Sequence, residues 1–215
     1  MKSCVVIGGG GHAKSLVDAL QLQGVYSAVG ITDSNQRLWG SSVLGVPVIG
    51  ADDELPSLRR RGVEYFVIGV GSVSDNRQRK ALFEGALALN LLPAIVVHPS
   101  AVTSPSAKLG GGTVVLAGAI VNADATVGEN VIVNSGSLIE HDCMVGDHVH
   151  VCPGARIGGG GRLGTGSFIG TAASLKQGIT VGDWATVAMG AVVLSDVGPG
   201  MTVMGIPARV MKPTE

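Results

Sequence analysis

The sequence predicts two domains of different fold class: an α/β, half-Rossmann-like domain at 1–98 and an all-β parallel β-helix of hexapeptide repeats at 99–205. Residues 206–215 form a C-terminal tail. Three observations predict this division. Apolar segments alternate with helical patterns in the first hundred residues, a glycine-rich loop follows the first apolar segment, and a period of six runs through the second half.

The elements of the first domain follow from its hydrophobic pattern. Residues 3–7 form an apolar strand, and a helical pattern covers 15–22 after the glycine loop. Further strands are predicted at 27–32, 64–70 and 92–97, and an amphipathic helix at 76–90 with Leu82, Phe83 and Leu87 facing inward. Strands that alternate with helices predict a small parallel sheet.

The glycine loop, residues 8–13, fits the pattern G-x-G-x-x-A of dinucleotide-binding loops. It lies between a strand and a helix, where backbone N–H groups suit a pyrophosphate. Asp33 ends the second strand, where an acid usually meets a ribose or a base. A tight turn without a ligand is the alternative. Since only about 100 residues precede the repeats, a nucleoside diphosphate fits this domain better than NAD.

A period of six dominates the second half. Every sixth residue from Leu109 to Val193 is Leu, Ile or Val, fifteen positions in succession, and the residue four places later is mostly small. Gly also follows the apolar residue at 110, 128, 146, 164 and 182. Three hexads therefore make one coil of eighteen residues, and successive coils stack about 4.8 Å apart. Branched side chains fill the interior of this triangular prism, and we expect glycine to supply the unusual backbone dihedral angles at its corners.

Composition excludes several classes of function. The chain has 15 Lys and Arg against 16 Asp and Glu, so no basic field favours nucleic-acid binding. No apolar run is long enough for a membrane span, and the first residues lack the pattern of a signal peptide. The three cysteines have no metal-type spacing. We therefore expect a cytoplasmic protein without nucleic-acid or membrane partners.

Polar residues accumulate in one coil: Asn134, 140–142 and 148–150. His141 is the second residue after the core position at 139 and points out of the prism, with Gly159 eighteen residues later directly against it. A histidine beside a bare backbone amide suits a general base next to an oxyanion donor. Asp142 can orient the imidazole and raise its basicity. A solvated His–Asp pair without catalytic function is the alternative.

A metal site is a further alternative, because three histidines fall within ten residues. No histidine stacks at 123 or 159, so a zinc site would need ligands from another subunit, and we expect no metal. Cys143 occupies a small-residue position and is expected to be buried.

Four segments together resemble a known family: the hexads, IEHDC at 139–143, GIPA at 205–208 and GGGGHAKS at 8–15. They resemble the hexapeptide-repeat nucleotide-sugar acetyltransferases, which include bacillosamine-type and perosamine-type N-acetyltransferases and sialic acid O-acetyltransferases. The resemblance implies a left-handed β-helix, acetyl-CoA as co-substrate, a nucleotide-linked amino sugar as acceptor and a homotrimer with active sites between subunits.

The resemblance also implies roles for individual residues. His141 matches the general base, Asp142 its acidic partner, and Gly159 the backbone donor to the thioester oxygen. Asn134 matches a residue near the sugar. Positions that match acetyl-CoA contacts are His150, Gly159, Thr171 and Met189, and positions that match the nucleotide-sugar pocket are Gly10, Gly11, His12, Asp33, Ser34, Gly71 and Ser72.

The implied reaction is acetylation of the 4-amino group of a nucleotide-linked 4-amino-4,6-dideoxy sugar, with GDP-perosamine as first candidate, in O-antigen biosynthesis. UDP- or dTDP-linked sugars and O-acetylation of a sialic acid stay open, because no residue distinguishes them. A metal-dependent enzyme on the same prism is a more distant alternative. A structural or ice-binding solenoid would show a ladder of stacked Thr, which the sequence lacks.

Overall fold

A computed structural model describes residues 1–211, so the last four residues of the predicted tail at 206–215 lie outside the described residues. The N-terminal domain is a six-stranded sheet of order β3-β4-β2-β1-β5-β6, parallel except for the antiparallel β3–β4 pair. Its strands are β1 Lys2–Ile7, β2 Tyr26–Thr32, β3 Ser42–Val43, β4 Val46–Gly50, β5 Tyr65–Ile68 and β6 Leu92–Pro93. Its helices are α1 Gly11–Gln23, α2 Leu55–Arg60 and α3 Arg77–Ala88, with 3₁₀ turns at Gln36–Leu38 and Asp52–Glu54.

The predicted α/β fold is confirmed, although β3, β4, α2 and the two 3₁₀ turns were not predicted and two of the predicted elements need correction. Phe83 is buried on α3 as predicted and Leu82 is partly buried, but Leu87 is exposed, so its predicted inward orientation was wrong. The predicted strand at 92–97 is two separate strands. Leu92–Pro93 ends the N-terminal sheet, whereas Val96–Val97 pairs with Val114–Val115 and is the first rung of the prism.

The sheet brings two loops together at the carboxyl ends of β1 and β5. The chain leaves β1 towards β2 on one side and returns as β5 on the other, so a crevice opens between these strands. Gly8 has a φ of +102°, and a Cβ on it would lie 2.8 Å from the Val70 nitrogen. A Cβ on Gly69 would lie 2.8 Å from a Val6 methyl group. Both glycines are therefore needed for the close approach of the two loops.

The second half is a three-sided parallel β-helix, as predicted. Its first side contains Val96–Val97, Val114–Val115, Ile132–Val133, His150–Val151, Phe168–Ile169, Thr186–Val187, Thr202–Met204 and the antiparallel Arg209–Val210. Its second side contains Val102–Thr103, Ile120–Val121, Leu138–Ile139, Arg156–Ile157, Ser174–Leu175 and Val192–Val193. Its third side contains Lys108–Leu109, Thr126–Val127, Met144–Val145, Arg162–Leu163 and Thr180–Val181.

The interior of the prism is aliphatic. Fourteen of the fifteen predicted core positions are buried, and Leu109, in the first coil, is partly buried and packs against them. Residues eighteen apart are paired along each side, for example Ile139 with Ile157. This spacing places side chains at equivalent positions of successive coils directly against one another, which matters for the site below.

Glycine supplies the left-handed dihedral angle at most corners, as predicted, but the glycines that repeat every eighteen residues have another function. The glycines at 110, 128, 146, 164 and 182 have no left-handed φ; they are needed because backbone from the next coil lies against them, at 2.5 Å from a Cβ built on Gly110. The left-handed residue is the third after each core position from Leu109 to Val187, and at eight of these fourteen positions it is glycine. Gly112, Asp124, Asn130, Asp142 and His148 belong to this series, with φ between 52° and 74°. Asn and Asp tolerate this conformation better than other side chains.

The N-terminal domain packs on the first side of the prism. Leu16 and Leu20 of α1 share a buried cluster with Val96 and Val114, and Phe83 of α3 contacts the edge of His148. Within the described residues, no helix has the length and apolar character that a bilayer crossing requires.

Candidate active site

The turns that lead from the second side of the prism to the third, here called the second corner, carry the predicted base. His141 Nδ1 lies 2.7 Å from Asp142 Oδ2. The imidazole is well exposed, with 63% of its side-chain surface accessible. Because Nδ1–H donates to the carboxylate, the lone pair of Nε2 is left free to accept a proton.

Gly159 lies directly against this imidazole. A Cβ built on Gly159 would be 2.7 Å from His141 Nε2 and 2.8 Å from Cε1. Within residues 1–211 the Gly159 N–H donates to no acceptor, while Gly160 N–H donates to the His141 carbonyl. A proton acceptor therefore lies against a residue whose amide N–H is unused, as the eighteen-residue spacing predicts.

The carboxylates beside His141 favour its protonated form. The hydrogen bond that His141 donates to Asp142 raises the pKa of His141 above its ordinary value, and the charges of Asp142 and Glu140 act in the same direction. Glu140 is itself held by Asn122, whose Nδ2 donates to it at 2.9 Å. A raised pKa makes the imidazole a better proton acceptor.

A cavity of about 590 Å³ opens at the first corner, where the first side of the prism leads to the second, beneath the N-terminal domain. It is bounded by the start of α1, by the 71–75 segment between β5 and α3, and by successive coils of the prism. Its lining contains the predicted residues His12, Gly71, Ser72, Asn134, His150, Thr171 and Met189, together with Ser15, Val73, Ser74, Cys152, Pro153, Phe168, Gly170, Thr186 and Ala188.

A directed hydrogen-bond chain crosses the cavity. Asn134 Nδ2 donates to His150 Nε2 at 3.1 Å, and its Oδ1 accepts from Ser135 N–H, which fixes the amide orientation. His150 Nδ1 donates to Ser72 Oγ at 2.8 Å, and the Ser72 hydroxyl donates to Asn76 Oδ1 at 2.5 Å. His150 is therefore the Nδ1–H tautomer.

Both histidines at the cavity are held neutral. Burial, aided by the positive charge of Arg79, lowers the pKa of His12 to about 3 and that of His150 to about 3. His12 Nε2 is buried and has no partner among the described residues. Neither imidazole can therefore act as a cation at neutral pH, but His12 can still exchange a hydrogen bond with a bound molecule.

The glycine loop presents the start of α1 without a capping side chain. Gly10 is the N-cap, no acidic residue occupies the first turn, and open space surrounds both Gly10 and Gly11. Such a terminus attracts an anion. The Asp33 carboxylate accepts from Gly9 N–H and Asn35 N–H, at 2.7 Å each, so it shapes this loop, and Ser34 is exposed beside it.

The three histidines at 141, 148 and 150 do not converge on one point in the described residues. His148 is buried against Phe83 and Asn130, away from His150, and residues 1–211 contain no group of three His, Cys, Asp or Glu side chains that could hold a metal. Cys143 is buried, as predicted, and its thiol contacts the Gly158 carbonyl.

Two family models match the chain: the PglD N-terminal domain at residues 3–86 and the bacterial transferase hexapeptide (six repeats) at 124–159. Crystals of a His-to-Ala variant of GDP-perosamine N-acetyltransferase from Caulobacter crescentus with CoA and GDP-perosamine show the same fold, with a TM-score of 0.92, 35% identity, and coverage of 99% of this chain and 98% of that one. The acetyltransferase domain of PglB from Neisseria gonorrhoeae FA1090 with acetyl coenzyme A is 38% identical, with a TM-score of 0.90 and coverage of 98% and 99%.

The chain belongs to the hexapeptide-repeat nucleotide-sugar acetyltransferases. WeeI from Acinetobacter baumannii AYE, at 24% identity and a TM-score of 0.85, has the same fold. No protein of curated function matches by sequence.

In the acetyltransferase the predicted site residues lie at two different corners of the prism, so the prediction that they cluster was wrong. We expected Asn134, His141 and His150 to cluster, but His141 and Gly159 lie at the second corner, whereas Asn134 and His150 face the cavity at the first. The corners are one hexad apart, about 20 Å of chain. Hydrogen bonds reach about 3 Å, so one subunit does not bring these residues together.

Sequence reasoning missed several residues of this acetyltransferase that shape the cavity. Asn76 donates to the carbonyls of Gly166 and Ser167 at 3.2 Å each, and Arg79 is buried between the domains. Asn76 is the N-cap of α3 and Arg79 lies in its first turn, where charged and amide side chains usually indicate a solvated surface. The polar residues at 76 and 79 are visible in the sequence, but their polarity predicts exposure to solvent rather than burial between the domains.

Proposed function

We propose that the protein transfers the acetyl group of acetyl-CoA to the 4-amino group of a nucleotide-linked 4-amino-4,6-dideoxy sugar, with GDP-perosamine as first candidate. The observation that carries this proposal is the imidazole of His141, oriented by Asp142, over the unused amide of Gly159. The bound molecules of two relatives support the substrate class, since one holds CoA and GDP-perosamine and the other acetyl coenzyme A.

The proposed reaction is direct attack without an acyl-enzyme. The neutral amine forms a bond to the thioester carbonyl carbon, and His141 Nε2 takes the proton that the nitrogen loses. The Gly159 N–H donates to the oxyanion of the tetrahedral intermediate. The C–S bond then breaks, the carbonyl re-forms as an amide, and the thiolate of CoA takes the proton from His141.

The two substrates are assigned to different parts of the cavity and its surroundings, because Gly10, Gly11, Asp33 and Ser34 do not line the cavity itself. In this proposal residues 1–98 bind the nucleotide sugar through the glycine loop, Asp33 and Ser34, and the segment at Gly71 and Ser72 reaches towards the sugar. The prism, at 99–205, binds acetyl-CoA along His150, Thr171 and Met189, while Asn134 lies near the sugar. A mostly apolar cavity with a few convergent polar groups is typical of small-molecule sites.

We also propose a homotrimer in which each site combines two subunits. The base and the cavity lie at different corners of one chain, so a second copy must bring its second corner to the cavity of the first. Exposed apolar side chains on the second side and second corner, Val102 at 60% and Leu194 at 51% accessible, support burial against another chain. Closed cyclic symmetry gives every subunit the same contact.

The cellular setting of the proposal is the cytoplasm and O-antigen biosynthesis. All three cysteines are buried and unpaired in the described part of the chain, which fits a reducing compartment. The product, an N-acetylated nucleotide sugar, is a donor of the kind that surface-polysaccharide glycosyl transfer consumes.

Asp142→Asn is expected to move the acidic limb of kcat/KM to lower pH. Neutral His141 is the active form, so the rate rises with pH through the pKa of His141, and Asp142 raises that pKa. Removal of the charge lowers it. The plateau falls as well, by less than the 10²–10⁴ of base removal. The measurement is kcat/KM against pH.

Asp124→Asn is the matched control, because Asp124 occupies the same left-handed position one coil earlier, beside Ala123. The acidic limb of kcat/KM in Asp124→Asn should coincide with that of the wild type. Ionisation of the substrate amine affects the wild type and both variants equally. A limb that stays in place or moves to higher pH in Asp142→Asn would contradict the pairing.

The proposed function is tested with acetyl-CoA and a panel of GDP-, UDP- and dTDP-linked 4-amino sugars together with a free sialic acid, by release of the CoA thiol. Turnover of the GDP-linked amino sugar, and a product acetylated on nitrogen, are expected. Activity on UDP- or dTDP-linked sugars alone would overturn the choice of nucleotide. Acetylation of the sialic acid alone would overturn the choice of acceptor. Absence of thiol release with every compound of the panel would overturn the proposed activity.

A further inference from the structure

Arg79 on α3 is fully buried, with 1% of its surface accessible, and no carboxylate of residues 1–211 pairs with it. Burial lowers its pKa to about 9, so the guanidinium stays charged at neutral pH. A buried, uncompensated charge is costly and is expected only where its hydrogen bonds fix a particular arrangement. The reaction proposed above does not use it.

The guanidinium joins the two domains through oxygen acceptors. One terminal nitrogen donates to the carbonyls of Ile68, at 3.2 Å, and Val70, both at the end of β5. The other donates to Asn130 of the prism, at 2.8 Å to Oδ1 and 3.4 Å to the carbonyl. Asn130 Nδ2 in turn donates to the Arg79 carbonyl at 3.3 Å. The planar guanidinium of arginine can donate to acceptors that lie in these different directions, whereas the ammonium group of a lysine cannot.

Val70 leads directly into the 71–75 segment that borders the cavity. Beyond Ser72, which contacts His150, the Ser74 carbonyl accepts from Thr186 Oγ1 at 3.3 Å. The segment then enters α3 at Asn76, which is also anchored to the prism. Its first end is held by Arg79 and its last by Asn76.

We propose that Arg79 is a positioning residue that fixes the 71–75 segment on the prism and thereby holds Ser72 against His150 in the substrate cavity. This inference rests on the proposed function, in which the cavity binds both substrates. Its charge has a second consequence, since it helps to keep His12 and His150 neutral. The hydrogen bond from His150 Nδ1–H to Ser72 thus depends on an arginine that does not itself line the cavity.

The test compares Arg79→Met and Arg79→Lys with Phe83→Leu, a control that loosens the same helix without removing a hydrogen bond. For each protein, ¹⁵N NMR at pH 7 reports whether the Nδ1–H of His150, assigned with His150→Gln, is hydrogen-bonded, and steady-state kinetics give kcat/KM for the nucleotide sugar. In Arg79→Met we expect loss of the signature of the hydrogen-bonded Nδ1–H and a fall of about 10² in kcat/KM. Phe83→Leu should keep the signature and lose stability only.

Arg79→Lys keeps the charge and loses the fork, and we expect it too to lose the signature and activity. An unchanged His150 signature with kcat/KM equal to that of Phe83→Leu, in folded Arg79→Met, would overturn the inference. If Arg79→Met does not fold, the same result in Arg79→Lys overturns it. The NMR readout needs no turnover, so failure of the proposed reaction would be seen separately as absent thiol release by the wild type.

Discussion

His141→Ala is expected to lower kcat by 10²–10⁴ while both substrates still bind, because the variant loses the proton acceptor and keeps the cavity. The imidazole is exposed and packs under no core residue, so its removal should leave the free energy of unfolding nearly unchanged. The measurements are kcat from thiol release and the dissociation constants of CoA and the nucleotide sugar by calorimetry.

His98→Ala is the control, because His98 also lies on the prism but does not line the cavity. Its Nδ1 accepts a hydrogen bond from Ser100 N–H at 3.0 Å. This variant should turn over at the wild-type rate. Wild-type kcat in His141→Ala would show that proton transfer at this position does not limit the reaction and would end the assignment of His141 as base.

Gly159→Ala is expected to lower kcat by about 10² with the fold intact. The new methyl group would lie 2.7 Å from His141 Nε2, and the exposed imidazole can rotate away from it, so the base moves rather than the backbone. Side chains at the equivalent positions of other coils, Gln177 in the next coil and Ala123 two coils earlier, show that the corner itself tolerates a Cβ.

The double variant Gly159→Ala/His141→Ala makes this prediction specific. If the methyl group acts by displacing the imidazole, it should cost little more once the imidazole is gone, and the two effects should be strongly non-additive. Gly85→Ala, at an exposed helix position with open space around it, is the control. Additive losses would place the effect of Gly159→Ala elsewhere, in the amide or in the coil.

The prism could be predicted almost completely because the same coil repeats along its axis. A period of six and a period of eighteen fix which residues are inside and which stack, and His141 over Gly159 follows from the spacing alone. Glycine locates eight of the fourteen left-handed corner residues and not the rest, because Asp, Asn, His, Ala and Trp occupy the other six. Glycine also marks the places where neighbouring coils approach most closely.

The division of the site between corners was predictable in principle. Nine residues separate His141 from His150, which is one and a half hexads, so these side chains cannot lie at equivalent positions of a coil. Arg79 was not predictable. Its burial depends on where α3 meets the prism, and that contact joins residues 51 positions apart, Arg79 and Asn130, without any local pattern.

The central claim, that one subunit supplies the base and another the cavity, is tested most directly by complementation. His141→Ala subunits and subunits whose cavity is filled by Thr171→Trp, each inactive alone, are co-refolded in equal amounts. Random mixing in a closed ring should restore about a quarter of wild-type activity, since that share of contacts pairs an intact base with an intact cavity. If base and cavity act within one chain, every site carries a defect and the mixture stays inactive.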